Sequence, residues 1–124
     1  MSYSINILYE HKILYYQHYG TIKRNNIIES WEKVLTLLEK QGYEYNLLLD
    51  FRNAHFIFKP GEIDAIVDFF YATTDMLHGK RIAGIAQISH EAAIIKLIET
   101  LKCEKDDFHV RLFITFEEAL CFLS

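Results

Sequence analysis

Leu47, Leu48 and Leu49 follow one another without a polar residue between them, and the run closes on Asp50-Phe51-Arg52. A strand with one wet face alternates apolar and polar residues. A run without alternation suits a strand covered on both faces, as in the sheets of α/β proteins. The chain then reads Asn53-Ala-His55-Phe-Ile-Phe58-Lys59-Pro60-Gly61-Glu62: an amide-rich and charged turn, a second short apolar stretch, and the only proline. Proline is favoured at a helix start, where its missing N–H costs nothing. Polar residues gathered at the C-terminal end of a central strand lie where open α/β sheets place their sites.

The flanking segments follow the same logic. Residues 4–10 and 13–19 are rich in β-branched and aromatic side chains and are separated only by His11-Lys12. They read as a β-hairpin, with Gly20 ending or bending its second strand. Over 25–41 the period becomes helical, with Ile27, Ile28, Trp31, Val34, Leu35 and Leu38 on one face and Gly42 as a stop. The leucine strand covers 45–51. A second helix is predicted from near Pro60 to Gly79, with Ile63, Ile66, Val67, Phe70 and Leu77 inward. Residues 81–88 form a buried strand of small residues. Ser89 caps a third helix with the stripe Ile94, Ile95, Ile98 and Leu101, and 108–114 form the last strand. Thr115 and Glu118 have capping-box spacing and open a short helix with Phe116, Ala119, Leu120 and Leu123 inward. The order β-β-α-β-α-β-α-β-α predicts an α/β fold. Its sheet is mixed but mostly parallel, with an antiparallel N-terminal hairpin and right-handed crossovers. At 124 residues a single domain over 1–124 is expected.

Composition narrows the function. The hydrophobic share of 51% and aromatic share of 15% exclude a disordered chain. A net charge of −4 without a basic block gives no electrostatic footprint for nucleic acid. No apolar run approaches the roughly 18 residues of a membrane span, and the N-terminus lacks the features of a signal peptide, so a cytoplasmic location is expected. Cys103 and Cys121 do not make a disulfide framework and are expected as buried reduced thiols. None of the six histidines forms a metal-binding pair, Ser89-His90 is the only adjacent nucleophile–base pair, and no glycine-rich phosphate loop exists. No metal, cofactor or catalytic residue is expected, and the chain reads as a non-enzyme.

Candidate sites carry two readings each. Asp50, Arg52, Asn53 and His55, continued by Phe58 and Lys59, form either a partner-binding loop or a self-satisfied turn. In the second reading Asp50 and Asn53 bond to nearby backbone N–H groups while Arg52 pairs with Asp50 or an acidic neighbour. Ser89-His90-Glu91 is either an anion site or a plain cap. Tyr9, Tyr15, Tyr16 and Tyr19 crowd the hairpin, with Tyr15 and Tyr19 on one face and Tyr16 on the other. They either cover the sheet and fill the core, or Tyr9, Tyr15 and Tyr19 offer a homodimer or partner surface. Phe69 and Met76 lie off the main stripe of the second helix and, with Phe56 and Phe58, extend an apolar patch there. That abundance of phenylalanine motivates a second functional reading, a carrier of a small apolar ligand or lipid.

The order and spacing of these elements resemble the STAS domain, the fold of the bacterial anti-sigma-factor antagonists, and more closely its small stand-alone relatives. The landmarks are the hairpin with Tyr19-Gly20, the Leu-Leu-Leu-Asp50-Phe-Arg strand end, Phe58 two residues after Phe56 before a helix, and the closing stretch from Val110 to Leu120. The resemblance implies a bacterial, non-enzymatic regulatory module that binds a protein partner. It also implies a serine at a helix start that takes up phosphate. Here that stretch is Phe58-Lys59-Pro60-Gly61-Glu62, with no serine or threonine, and Lys59 offers a fixed charge instead of a switchable one.

Overall fold

The computed structural model describes residues 2–41, 44–77, 79–86 and 109–124. Five strands form one sheet in the order β1-β2-β3-β4-β5: Ser2–Leu8, Ile13–Ile22, Asn46–Phe56, Arg81–Ile85 and His109–Phe113. β1 and β2 pair antiparallel, and every later pair is parallel. The α-helices among the described residues are α1 (Arg24–Gln41), α2 (Glu62–Ala72) and α3 (Phe116–Leu123). A 3-10 turn over Thr74–Leu77 follows α2. The expected third helix, with Ser89, His90 and Glu91 at its start, lies outside the described residues, as do Cys103 and His78.

The leucine run does what its pattern requires. Leu47 packs in the core between the sheet and helices α1 and α2, with Leu14, Tyr16, Val34, Leu38 and Phe70. Leu48 points the other way, into a smaller core with Ile13, Ala83, Ile85, Ala119 and Leu123 under α3. Thr115 caps α3 by accepting the Glu118 N–H at 3.3 Å, while its hydroxyl donates to the Glu118 carboxylate at 2.9 Å. The spacing predicted the cap, and the hydrogen bonds show one side chain serving the other rather than a full reciprocal box.

Several boundaries differ from the sequence expectation, each for a physical reason. The hairpin turn takes four residues, Tyr9 to Lys12, because Lys12 rather than a glycine adopts the left-handed conformation, at φ 54°. β2 runs on through Gly20 to Ile22, since the chain beyond it still has β3 to pair with. α2 starts after Gly61, whose φ of 86° needs no Cβ, and stops at Thr73, whose hydroxyl donates to the Phe70 carbonyl at 2.8 Å. Cys121 is exposed on α3, not buried as expected, because Ala119 and Leu123 take the inward positions.

The largest difference is in β3. The polar stretch after Asp50 is not a turn: the strand runs on to Phe56, 11 residues in all from Asn46. Its partners show why the pattern is hard to read. Gln17 faces Asp50 but Tyr19 faces Asn53, so β3 spends one residue more than β2 between these pairs. This is a β-bulge at Phe51-Arg52, and it reverses the in–out phase of everything beyond it.

Candidate functional site

Because of the bulge, Asp50, Arg52, Asn53 and His55 all fall on the face of the sheet that carries α3. Leu49, Phe51, Ala54 and Phe56 fall on the face that carries α1 and α2. The structure therefore sorts the Asn46–Phe56 run into a polar and an apolar site, back to back.

On the polar face Asp50 is 3% exposed and fully engaged. Arg52 grips it as a fork, Nε to Oδ1 at 3.0 Å and Nη2 to Oδ2 at 2.7 Å. The Arg52 backbone N–H adds a bond to Oδ1 at 3.1 Å, and the Tyr15 hydroxyl donates to Oδ2 at 2.6 Å. Burial alone would raise the Asp50 carboxyl pKa. The donors from Arg52 and Tyr15 outweigh it and hold the group below its ordinary range. The same arrangement pushes the Tyr15 phenol up to about 12, first through burial and then through the Asp50 carboxylate beside it. Such a closed set of satisfied groups stabilises the bulge, and it keeps Asp50 from a free ligand. Arg52 keeps its side chain 30% exposed, and Asn53, His55 and Lys59 are exposed. Phe58 is half-buried, stacked on Phe56 at 5.1 Å between ring centroids. Lys59 precedes α2, and its backbone N–H donates to the Glu62 carboxylate at 2.6 Å.

The tyrosines divide. Tyr15 lies against Phe116 at 5.3 Å, with its hydroxyl given to Asp50. Tyr19 is half-buried on the same face, whereas Tyr9 is 66% exposed in the hairpin turn at the other end of β2. They do not converge on one patch. Tyr16, on the opposite face, is buried and donates to Ser30 of α1. Ser30 in turn meets His18 Nε2 at 3.3 Å. His18 is 1% exposed, and burial lowers its pKa to about 4, so the imidazole is neutral at neutral pH.

The apolar face holds a cavity of about 70 Å³, partly open, between the sheet and helices α1 and α2. A single water needs only roughly 10–15 Å³, so the space takes several methylene-sized groups. Tyr16, Phe51, Phe56, Ile82, Gly84 and Val110 form its floor, α1 supplies Ile27, Ile28 and Trp31, and α2 supplies Ile66, Phe69 and Phe70. Phe69 and Phe56, expected on an exposed patch, instead line this space. The Trp31 indole N–H donates to the Thr73 hydroxyl at 2.9 Å, which ties α1 to the end of α2. Arg24 and Glu62 pair at 3.7 Å at the other end of the two helices. The sequence reading missed Trp31 and Gly84 as site residues. A glycine inside a buried strand was the available signal, since such a position often marks close approach of a ligand or another backbone.

This sheet order, hairpin and helix placement define a STAS-like fold. The chain is similar in structure to an uncharacterized protein of the DUF3478 family with a SpoIIAA-like fold from Shewanella loihica PV-4. The TM-score is 0.64 and the identity 15%, over 98% of this chain and 94% of that one. No family model and no curated protein matches the chain. No helix among the described residues is long and apolar enough to cross a membrane.

Proposed function

We propose that this chain is a non-catalytic STAS-like binding module whose ligand is a small apolar molecule seated between α1, α2 and the sheet. The cavity wall carries the reading. It is built from aromatic and aliphatic side chains, and its Tyr16 hydroxyl is already given to Ser30. A wall with no unsatisfied donor favours hydrocarbon over polar ligands. The hydrogen-bonded cluster of Asp50, Arg52 and Tyr15 lies on the far face of the sheet and does not line the cavity.

A second reading rests on the bulge. It gathers Arg52, Asn53 and His55 on one accessible face, where they offer a protein partner donors and acceptors, with Phe58 and Lys59 following at the approach to α2. In this reading the module is regulatory and has no phosphate switch, since residues 58–62 contain no serine or threonine.

Trp31 is the only tryptophan in the chain and lines the cavity, so its fluorescence reports occupancy. Titration with a medium-chain bromoalkane, whose heavy atom quenches indole, is expected to give saturable quenching in the intact protein. Ile28→Phe, which narrows the cavity from α1, is expected to weaken it at least about tenfold, the loss of roughly two buried methylenes at ~0.8 kcal/mol each. Quenching that rises linearly and equally in both proteins removes the ligand reading and leaves the exposed face of β3 as the functional surface.

A further inference from the structure

The sheet has two edges among the described residues, β1 and β5. β5 is five residues long and carries His109 and Arg111. β1 is built differently. Its seven residues, Ser-Tyr-Ser-Ile-Asn-Ile-Leu, contain no charge, no proline and no glycine. Its register against β2 is unbroken from Ser2 to Leu8, so no bulge twists the edge away. An edge without these protective features is a template for another strand.

The sequence of β1 selects the partner. Reversed about Ile5, the strand matches itself: Tyr3 falls opposite Ile7, Ser4 opposite Asn6, and Ile5 opposite Ile5. In the sheet, Tyr3, Ile5 and Ile7 lie on the face of α1 and α2, partly buried against its core, while Ser4 and Asn6 lie on the other face. Antiparallel pairing with a second copy therefore sets apolar against apolar on one face and hydroxyl against amide on the other. Cross-strand pairs of these kinds stabilise a sheet. A two-fold axis through Ile5 satisfies both chains by the same contacts, as an isologous dimer requires.

We infer that two copies of this chain pair antiparallel through β1, about a two-fold axis at Ile5, and continue one sheet across ten strands. This places the dimer contact on the strand edge rather than on the tyrosine-rich face of the hairpin. It does not depend on the cavity being occupied.

The register gives a charge test on positions away from the main core. Ser4→Lys with Asn6→Lys sets like charges opposite each other across the axis. Ser4→Glu with Asn6→Lys sets opposite charges there. Sedimentation of the intact protein is expected to show a dimer. The double-lysine variant is expected to raise its dissociation constant at least about tenfold, and the Glu/Lys variant to restore association. Circular dichroism confirms that each variant is folded. A monomeric wild type at high micromolar concentration, a dimer indifferent to the two lysines, or a folded Glu/Lys variant that stays monomeric would each overturn the inference.

Discussion

Replacing His18 with phenylalanine should flatten the stability profile of this protein in mild acid. His18 sits between Tyr16, at 4.5 Å edge-on, and Phe51, stacked at 5.3 Å, and its Nδ1 meets no hydrogen-bonding partner among the described residues. Nothing in that setting compensates a positive charge, so burial lowers the imidazole from 6.5 to about 4. The sign follows from proton counting. Between these two values the unfolded chain binds a proton at this position that the folded chain refuses, so stability rises with pH across the window and is lost as pH falls. The gap corresponds to about 3 kcal/mol at ~1.4 kcal/mol per pH unit, of which about 2 kcal/mol is already lost at pH 5. Domains of this size are stable by only about 5–15 kcal/mol, so the effect is large.

Urea unfolding of wild type and His18→Phe, each at pH 7, 6, 5 and 4.5, isolates the contribution of this one imidazole. Every other titrating group is common to both proteins and cancels in the difference. The urea midpoint of wild type should fall by roughly 1–2 M between pH 7 and 5 relative to that of the variant. Phenylalanine keeps an aromatic ring against Tyr16 and Phe51 at a somewhat larger volume, a cost that does not vary with pH, and Ser30 keeps its bonds to the Asn26 and Ile27 carbonyls at 2.9 and 3.1 Å, so the variant is expected to fold. If the two proteins keep a constant difference in stability from pH 7 to 4.5, His18 is not held neutral by burial and the reasoning fails.

The polar side of the bulge makes a second prediction. Asp50→Asn is expected to cost about 2–3 kcal/mol in urea unfolding, less than a fully buried ion pair because the Arg52 side chain is 30% exposed. Tyr15→Phe should cost about 1 kcal/mol, and a double variant that merely sums the two costs would show that these groups do not act as one network. With its carboxyl held low, Asp50 adds stability above the ordinary value of 3.8 that is lost as pH falls through the folded value. Gly61→Ala tests the entry to α2: the added Cβ would meet nothing within 4 Å, so only the strain at φ 86° remains. That is about 1–2 kcal/mol, read as a fall of roughly 4–8 °C in the thermal midpoint, and an unchanged midpoint would refute it.

The periodicity of the apolar residues carried most of the architecture. The spacing of Trp31, Val34, Leu35 and Leu38 placed α1, and the same four residues are buried in the structure. The unalternated leucines placed a central strand, because only a strand with two covered faces sends Leu47 and Leu48 into different cores. Termini of elements were less legible, since they depend on partners distant in sequence. β2 outlasts Gly20 because β3 is there to bond it, and Cys121 is exposed because α3 has a narrow inward face. The cavity was visible only as an excess of phenylalanine near α2. Which of those rings meet, and that Gly84 opens the floor beneath them, is decided by the register of β3 on β4, where Leu49 stands beside Gly84.

The polar cluster was misread for a narrower reason. Asp50, Arg52, Asn53 and His55 look like a turn when the strand is assumed to keep a strict period of two, because no single face then holds them. The apolar positions reveal the slip: 47, 49 and 51 are followed by 54 and 56, not by 53 and 55. One extra residue between Phe51 and Ala54 restores both alternations, and the pairing of Gln17 with Asp50 and Tyr19 with Asn53 shows it in place. Both candidate sites depend on that residue. Without the phase change, Phe56 would leave the cavity floor and His55 would point at α1. The fork between Arg52 and Asp50 spans the bulge, bonding side chain and backbone of the inserted step to the last residue before it. The network around Asp50 therefore bridges the bulge, and the cavity on the opposite face takes its shape from the phase that the bulge sets.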